Sequence, residues 1–253
     1  MNRVGHQSAA LHLEVGAVAL DFGRPETFAP ALADVKRLFL MRPPQITNIK
    51  RIMVPALDAA QSAGVKNVTF LSLIGIEKAK FVPHYKVEQY LEKSSMTWTF
   101  LRCSFFMQNL NTTHRIEIKE RNEIFVPVGK ARTSFIDVRD IGAVAAVTMT
   151  QPGHARKAYD LTGSEALDYW QAARILSEVL GRKITYRDPS PVNFFMTHLR
   201  HGTPFMFALV MTGLYLSTRN GMAETVTGEV ERITGRTPIS FRQYASDYRS
   251  SWD

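Results

Sequence analysis

Short apolar runs alternate with helix-type patterns over most of this chain, and this alternation is the feature that most constrains its fold. The strand candidates are residues 15–20, 37–41, 67–73, 98–103, 158–162 and 184–186. Most of them are continuously apolar, as expected for parallel strands that helices cover on both faces. The sequence therefore predicts an α/β fold with a parallel sheet, beginning near Leu13 and continuing to about Arg187.

Helix signals fall between these strand candidates. Apolar residues recur at three- and four-residue spacing over residues 49–63, although Pro55 interrupts the pattern. A shorter apolar stripe occupies residues 84–93. Asp140 and Asp168 each stand where a carboxylate caps the start of a helix.

The pattern changes after Arg187. Residues 188–191 read Asp-Pro-Ser-Pro, and Met- and Phe-rich helical sequence follows, with Ser240 opening a last amphipathic helix. We therefore predict two regions, a sheet domain over residues 1–187 and a smaller, mostly helical cap over residues 188–253.

Charge limits the classes of partner. The chain has 31 Lys and Arg against 23 Asp and Glu, a formal net charge of +8, but the basic residues are scattered in ones and twos. This distribution favours a solvated basic surface over a nucleic-acid footprint, which requires clustering on one face. Charged residues make up only 21% of the chain, which excludes a disordered or coiled-coil class.

Cysteine content and apolar stretches bear on location. Cys103 is the single cysteine, so no internal disulfide can form, and the first residues lack the apolar core of a signal peptide. We expect a cytoplasmic protein. The most apolar stretch, residues 205–216, is shorter than the roughly 20 residues needed to span a bilayer. It favours a ligand-covering helix, and we expect no membrane partner.

Five motifs occur in a distinctive order. They are residues 70–75 (Phe-Leu-Ser-Leu-Ile-Gly), 84–91 (His-Tyr-Lys-Val-Glu-Gln-Tyr-Leu), 99–109 (Thr-Phe-Leu-Arg-Cys-Ser-Phe-Phe-Met-Gln-Asn), 134–141 (Ser-Phe-Ile-Asp-Val-Arg-Asp-Ile) and 157–163 (Lys-Ala-Tyr-Asp-Leu-Thr-Gly). Together they resemble the NmrA-like branch of the atypical short-chain dehydrogenase/reductases, from about Val15 to the C-terminus. The resemblance implies a Rossmann-like sheet that binds NADP or NAD across the carboxyl ends of its strands. A small-molecule substrate would lie between the sheet and the cap, where ligands of open parallel sheets generally bind.

The resemblance assigns the first cofactor residues to the front of the chain. Asp21 and Phe22 match a pair beside the adenine, or they form a plain strand-to-helix turn. Met41, Arg42 and Pro43 match the loop over the ribose and phosphates of the dinucleotide. There Arg42 either pairs with a phosphate or stands exposed in a Pro-rich loop.

Further cofactor residues follow the next two strand candidates. By the same resemblance, Leu71 and Ser72 end the strand beside the nicotinamide. Phe105 and Phe106 would wall the nicotinamide ring, and Asn109 would offer it an amide hydrogen bond. The alternative is that these aromatic residues belong to the hydrophobic core.

Lys86 is the candidate catalytic residue. It matches a family lysine that contacts the nicotinamide ribose or polarises a substrate carbonyl, and an ammonium near a developing oxyanion would lower a hydride-transfer barrier. The alternative is a solvent-facing lysine on a short helix. The Tyr-x-x-x-Lys pair of classical members is absent, because Val82 stands four residues before Lys86. Atypical members reduce substrates without that pair and some only sense nucleotides, so a reductase and a non-catalytic, nucleotide-sensing regulator both remain open.

The sequence departs from the family pattern at its front. No Gly-x-x-Gly-x-x-Gly turn precedes residues 15–20, so we expect an N-terminally truncated member that lacks a central strand between residues 15–20 and 37–41. Such a loss would leave unpaired strand edges, which favour association and allow a homo-oligomer. The histidines show no metal-type spacing, so we predict no metal. His198 and His201 stand three residues apart on a predicted helix, where they either line the pocket or, as we expect, lie at the surface.

Overall fold

A computed structural model describes residues 16–80 and 82–253 of the chain. The strands are β1 (Arg37–Leu40), β2 (Asn67–Leu73), β3 (Thr97–Cys103), β4 (Glu123–Phe125), β5 (Lys157–Leu161) and β6 (Thr185–Arg187). The helices are α1 (Phe28–Leu32), α2 (Ile49–Ile52), α3 (Val54–Ser62), α4 (Pro83–Lys93), α5 (Arg115–Arg121), α6 (Val138–Thr150), α7 (Tyr169–Leu180), α8 (Pro191–Arg200), α9 (Phe205–Arg219), α10 (Glu229–Thr234) and α11 (Phe241–Asp247).

Within the described residues, the main sheet is parallel and has the strand order β1-β2-β3-β5. The predicted α/β fold with a parallel sheet is confirmed. β4 and β6 form a separate parallel pair that the sequence analysis did not foresee. Residues 184–186 were expected in the main sheet, but the strand there, β6, pairs with β4, because Thr185 to Arg187 lie in register with Glu123 to Phe125.

The strand predicted over residues 15–20 is wrong for its described part. Residues 16–20 have no regular secondary structure, and Val15 lies outside the described residues. An apolar groove of about 260 Å³ lies along β1 instead, and its lining includes Leu20, Phe22, Leu38, Leu40 and Leu57. No described strand pairs with the outer edge of β1.

The predicted helix over residues 49–63 is present but divided. Met53 separates α2 from α3, and Pro55 stands in the first turn of α3, where its missing N–H leaves no helical hydrogen bond unmade. α7 is confirmed in full, since Asp168 forms a capping box with Gln171 and Gly181 ends the helix with φ of 71°.

The expected cap at Asp140 is wrong. The side chain of Asp137 caps α6 by accepting from the N–H of Arg139, three residues before the predicted position. Asp140 is instead buried in the first turn of α6, where it accepts from the N–H of Ile239 at 2.8 Å. Burial raises the pKa of Asp140. Its role is to join the C-terminal segment to α6.

Both faces of the main sheet are covered. One core lies between the sheet and α1 to α4 and includes Phe70 and Phe100. A second lies on the opposite face, against α6 and α10, and includes Leu101 and Leu161. A third core surrounds the β4–β6 pair and draws residues from both sides of the predicted boundary at residue 187. None of the described helices is long and apolar enough to cross a membrane.

Candidate active site

The predicted cofactor residues gather at one edge of the sheet. β1, β2 and β3 are adjacent and parallel, so the loops that follow them share the carboxyl edge, where open α/β sheets bind ligands. The residues brought to this edge are Met41, Arg42 and Pro43 after β1, Leu71 and Ser72 near the end of β2, and Phe105, Phe106 and Asn109 after β3.

Arg42 organises the loop after β1. Its Nη1 donates to the carbonyl oxygens of Pro43 at 2.8 Å, Pro44 at 3.1 Å and Ile46 at 2.7 Å. Met41 points outward and is 56% exposed. Because these carbonyls already hold Nη1, the main structural role of Arg42 is to fix the Pro-rich loop.

The Arg42 loop is tied to α4. The Nε of Arg42 donates to Nε2 of His84 at 3.4 Å, and the imidazole lies against the ring of Phe70. Burial, reinforced by the positive charge of Arg42, lowers the pKa of His84 to about 3. A neutral imidazole is the form that can accept from the guanidinium, so the contact stays intact at neutral pH.

Ser72 is part of a buried ionic cluster beneath the strand ends. Its hydroxyl donates to Oε1 of Glu88 at 2.6 Å. Arg102 on β3 binds the same carboxylate through both Nε and Nη2, at 3.2 and 2.7 Å. The hydroxyl of Ser72 is therefore turned into the protein. The sequence analysis did not identify Glu88 as a buried residue. Its position between Val87 and Leu91, both of which belong to an apolar stripe, could have indicated a buried carboxylate.

Lys86 is exposed on α4. The buried face of this helix carries Val87, Glu88 and Leu91, which leaves Lys86 on the solvent side. Among the described residues, its ammonium has neither an ion-pair partner nor a side-chain hydrogen bond. The catalytic role of Lys86 stays a prediction.

Phe105 forms an aromatic wall with the cap. Its ring stacks on Tyr215 of α9 with centroids 5.5 Å apart and an interplanar angle of 29°. The carbonyl of Phe105 accepts from the N–H of Ile136 at 2.9 Å, and Phe106 pairs with Ile136 as an isolated parallel bridge. Asn109 accepts through its carbonyl from the N–H of His114. The loop after β3 is therefore held rigidly, with half-buried Phe105 and Phe106 at the site.

A buried histidine cluster lies behind this wall, and the sequence analysis missed it. Nε2 of His114 is hydrogen-bonded to the hydroxyl of Tyr215 at 2.5 Å, and the ring of His198 meets that of His114 edge-on. Burial lowers the pKa of His114 to about 3 and that of His198 to about 4. The expected surface position of His198 is wrong, because the helix that carries it packs that face onto the β4–β6 core; His201 is exposed as expected.

Asp21 and Phe22 lie apart from this wall. Oδ1 of Asp21 accepts from the N–H of Gly23 at 2.8 Å, and its own N–H donates to Thr27 Oγ1 at 3.0 Å. Phe22 packs partly into the core beside α1. Both contacts stabilise a tight turn. The local geometry therefore supports the turn interpretation, and the adenine contact remains a prediction.

The residues present fit one half of a nicotinamide dinucleotide. The half-buried rings of Phe105 and Phe106 and the amide of Asn109 suit a nicotinamide, and the cap closes in where the methyl carbon of Met222 lies beside Gly75. In the described ranges no Gly-rich turn is available for the pyrophosphate. Those same ranges contain no group of three His, Cys, Asp or Glu side chains able to hold a metal ion.

Known proteins resemble this chain over most of its length. An NAD(P)H azoreductase from Xenophilus azovorans is 31% identical over 244 residues, covering 94% of this chain and 84% of the relative. An NADPH-dependent quinone oxidoreductase from Escherichia coli, solved with NADPH, superimposes with a TM-score of 0.80 at 22% identity, covering 91% of this chain and 82% of its own.

A second kind of relative shares the fold. NmrA, a negative transcriptional regulator solved with NADP, has a TM-score of 0.68 at 16% identity and covers 88% of this chain and 76% of its own. These similarities confirm the Rossmann-like class of the sheet. The model of the NmrA-like family matches residues 9–237. The chain therefore belongs to the NmrA-like family.

Proposed function

We propose that this protein is an NAD(P)H-dependent reductase that passes a hydride to a small, partly apolar substrate beneath the helical cap. The observation that carries the proposal is the meeting of three parallel strand ends with the aromatic wall of Phe105 and Tyr215. Family membership and the azoreductase and quinone oxidoreductase relatives support the same chemistry.

A bound nicotinamide cofactor would supply the hydride. The protein's own part is to orient the ring and to exclude water from it. Phe105 and Phe106 provide an apolar surface on one side, and the amide of Asn109 provides a hydrogen-bonding group for the nicotinamide carboxamide. Tyr215 belongs to α9, so the stacking of Phe105 on Tyr215 joins the aromatic wall to the cap that would cover the substrate.

Lys86 is proposed to polarise the substrate. Its exposed ammonium stands on α4, the helix whose first turn is bound to the Arg42 loop through His84. A positive charge near the substrate oxygen or nitrogen would stabilise the negative charge that develops as the hydride arrives. The remaining predicted residues, Met41, Pro43 and Leu71, are proposed to line the dinucleotide along the carboxyl edge.

The alternative is a nucleotide-sensing regulator without catalysis. The similarity to NmrA favours it. The lack of a tyrosine four residues before Lys86 is compatible with either function. As further parts of the leading proposal, we infer a cytoplasmic location, no nucleic-acid partner and a homo-oligomer as a permitted state.

Titration of the folded 253-residue chain with NADPH and then NADH, followed by nicotinamide fluorescence, tests the common part of both proposals. Saturable micromolar binding is the expected result. Consumption of NADPH with a panel of azo, quinone, carbonyl and imine compounds then identifies a reductase. Binding without turnover across the panel, together with nucleotide-dependent association with a protein, would identify the regulator, and a folded chain with no binding would contradict both.

A further inference from the structure

The helix α9 buries hydroxyl-bearing residues and exposes several large apolar ones. Its buried side includes the hydroxyl-bearing residues Thr212, Tyr215 and Thr218. Its outer side, which we name the α9 face, consists of Phe205, Met206, Leu209, Val210 and Leu216, exposed by 59, 53, 47, 41 and 36%. At about 100° per residue these five positions fall on one side of the helix. Ser217 also lies on this side, where its hydroxyl donates to the carbonyl oxygen of Gly213. An exposed apolar helix side of this extent marks a contact surface.

The preceding helix extends the exposed apolar area. Phe195 of α8 meets Phe205 edge-on with centroids 5.5 Å apart. Val192 and Met196 of α8 are 72 and 41% exposed. The connection between α8 and α9 therefore presents large apolar side chains from both helices.

The chain segment that carries the α9 face contains only basic charges. Residues 189–223 contain neither Asp nor Glu. The turn between α8 and α9 carries exposed Arg200 and His201, and Nη2 of Arg121 lies 3.2 Å from Nε2 of His201. This basic cluster of Arg121, Arg200 and His201 complements an anionic surface.

A polar cleft opens at the same turn. Its volume is about 380 Å³, and it is lined by Thr113, Ile116, Glu117, Arg121, His198, His201 and Thr203. Oε2 of Glu117 and Nε2 of His198 lack a hydrogen-bond partner among the described residues. Both side chains are more than nine-tenths buried. Such acceptors are costly unless a ligand supplies donors. Hydroxyl groups would satisfy them, whereas the carboxylate of Glu117 repels an anion from the inner part of the cleft.

We infer that the α9 face lies on an anionic lipid surface. The phosphate of a glycerol-type headgroup would bind the basic cluster at the rim of the cleft, and its hydroxyl groups would reach Glu117 and His198. The apolar side chains of α9 would enter the boundary between headgroups and acyl chains, as in helices that lie in the plane of a membrane. This contact needs no spanning helix, but it would overturn the expectation of no membrane partner, which rested on the length of the apolar stretch.

A second copy of the chain fits the α9 face less well. An antiparallel pair of α9 helices would bring Arg200 of one copy toward Arg219 of the other. A parallel pair would bring the two basic clusters together. Arg219 is paired with Asp188 at 3.3 Å, but no carboxylate from residues 189–223 is available to compensate Arg200. Like charges at both ends of the helix oppose such packing.

Flotation of the full chain with vesicles tests the inference. Vesicles of phosphatidylcholine alone are compared with vesicles that contain phosphatidylglycerol, at low and high salt. We expect at least about tenfold stronger binding to the anionic vesicles, weakened by salt because the attraction to the surface is screened. Soluble glycerol 3-phosphate should compete only weakly, since it lacks the apolar contribution.

Variants separate the apolar contribution to vesicle binding from the electrostatic one. Leu209→Ser should weaken vesicle binding roughly tenfold, because it removes an apolar side chain that the bilayer would bury. Arg200→Gln should weaken it about fivefold, because it removes a positive charge that attracts the anionic lipid. Val18→Ser is the matched control, since Val18 is a 63% exposed apolar residue away from α9. All three positions are exposed, so the variants should fold, which circular dichroism verifies. NADPH titration of the same variants should be unchanged.

Two results would overturn the inference. The first is equal binding of the wild type, Leu209→Ser and Arg200→Gln to anionic vesicles, or no binding by any of them. The second is a concentration-dependent dimer that Leu209→Ser dissociates, without vesicle binding, which would assign the α9 face to a second copy of the chain.

Discussion

His114 and Tyr215 are joined by a hydrogen bond between Nε2 and the hydroxyl, although 101 residues separate them in sequence. His114 is 1% exposed and Tyr215 3% exposed. The bond connects α9 of the cap to the residue that precedes α5. The ring of Tyr215 also stacks on Phe105, so Tyr215 links the aromatic wall to the segment before α5.

The buried imidazole of His114 makes stability depend on pH. Its pKa in the folded protein is about 3, below the ordinary value of about 6.5, chiefly because of burial and then because of nearby His198. Below pH 6.5 the unfolded chain binds a proton at this position and the folded protein does not. The free energy of unfolding should therefore fall as the pH drops from 6.5 toward 3, by roughly 1 kcal/mol per pH unit from this group.

Urea unfolding between pH 4 and 7 measures this slope. His114→Gln should reduce it, and His201→Gln, a change at an exposed histidine, should leave it as in the wild type. Identical slopes for all three proteins would show that His114 does not resist protonation in the folded state.

Two glycines should respond to alanine in opposite directions. A Cβ at Gly163 would meet the carbonyl oxygen of Phe135 at 2.1 Å, so Gly163→Ala should lower the free energy of unfolding by about 2 kcal/mol or more. Gly142 lies inside α6 with open space around the position of a Cβ, so Gly142→Ala should raise it by roughly 0.5–1 kcal/mol. Urea midpoints of the two variants are compared, and a stable Gly163→Ala protein would contradict the close packing.

The carboxylate of Glu88 should contribute much more to the free energy of unfolding than that of Glu77, although both face Arg102. Glu88 is buried and holds Arg102 through two hydrogen bonds, so Glu88→Ala should cost about 3 kcal/mol or more, because a largely buried guanidinium then keeps only the longer pair with half-exposed Glu77. The Glu77 side chain is 50% exposed and lies 3.5 Å from Arg102, so Glu77→Ala should cost less than about 1 kcal/mol. Equal losses in thermal or urea unfolding would refute this ranking.

Replacement of Phe105 should affect cofactor binding. Phe105→Ala removes the ring from the aromatic wall, and we expect the dissociation constant for NADPH to rise about tenfold. Tyr215→Phe is the matched variant, because it keeps the stacked ring and loses only the bond to His114. It should retain NADPH binding. If Phe105→Ala binds NADPH as the wild type does, the nicotinamide lies elsewhere.

Lys86 should matter for turnover rather than for stability. If its ammonium polarises the substrate, Lys86→Met should lower kcat about 100-fold with little change in the dissociation constant for NADPH. Lys93→Met, a change at the other exposed end of α4, should have normal kcat. A loss of NADPH affinity with normal kcat would instead assign Lys86 to the nicotinamide ribose.

Local signals in the sequence predicted much of the fold. The continuous apolar runs at β2 and β3 marked strands that are buried on both faces, and Asp168 marked the start of α7 through a capping box that four adjacent residues complete. The ordered motifs identified the family, and parallel topology then brought Arg42, Ser72 and Phe105 to one edge. Each of these inferences depends on neighbours in sequence or on a general rule of parallel sheets.

What the sequence by itself determined is most of the main-sheet strands and their helices, the family, and the edge of the sheet at which the candidate site lies. Only the tertiary structure decided that Ser72 turns inward to Glu88, that β6 pairs with β4, and that α9 buries Tyr215 while exposing Leu209. The reason is physical. Periodicity and capping act over a few residues. The partner of a buried carboxylate, the pairing of a short strand and the side that a mainly apolar helix buries depend instead on contacts between distant segments.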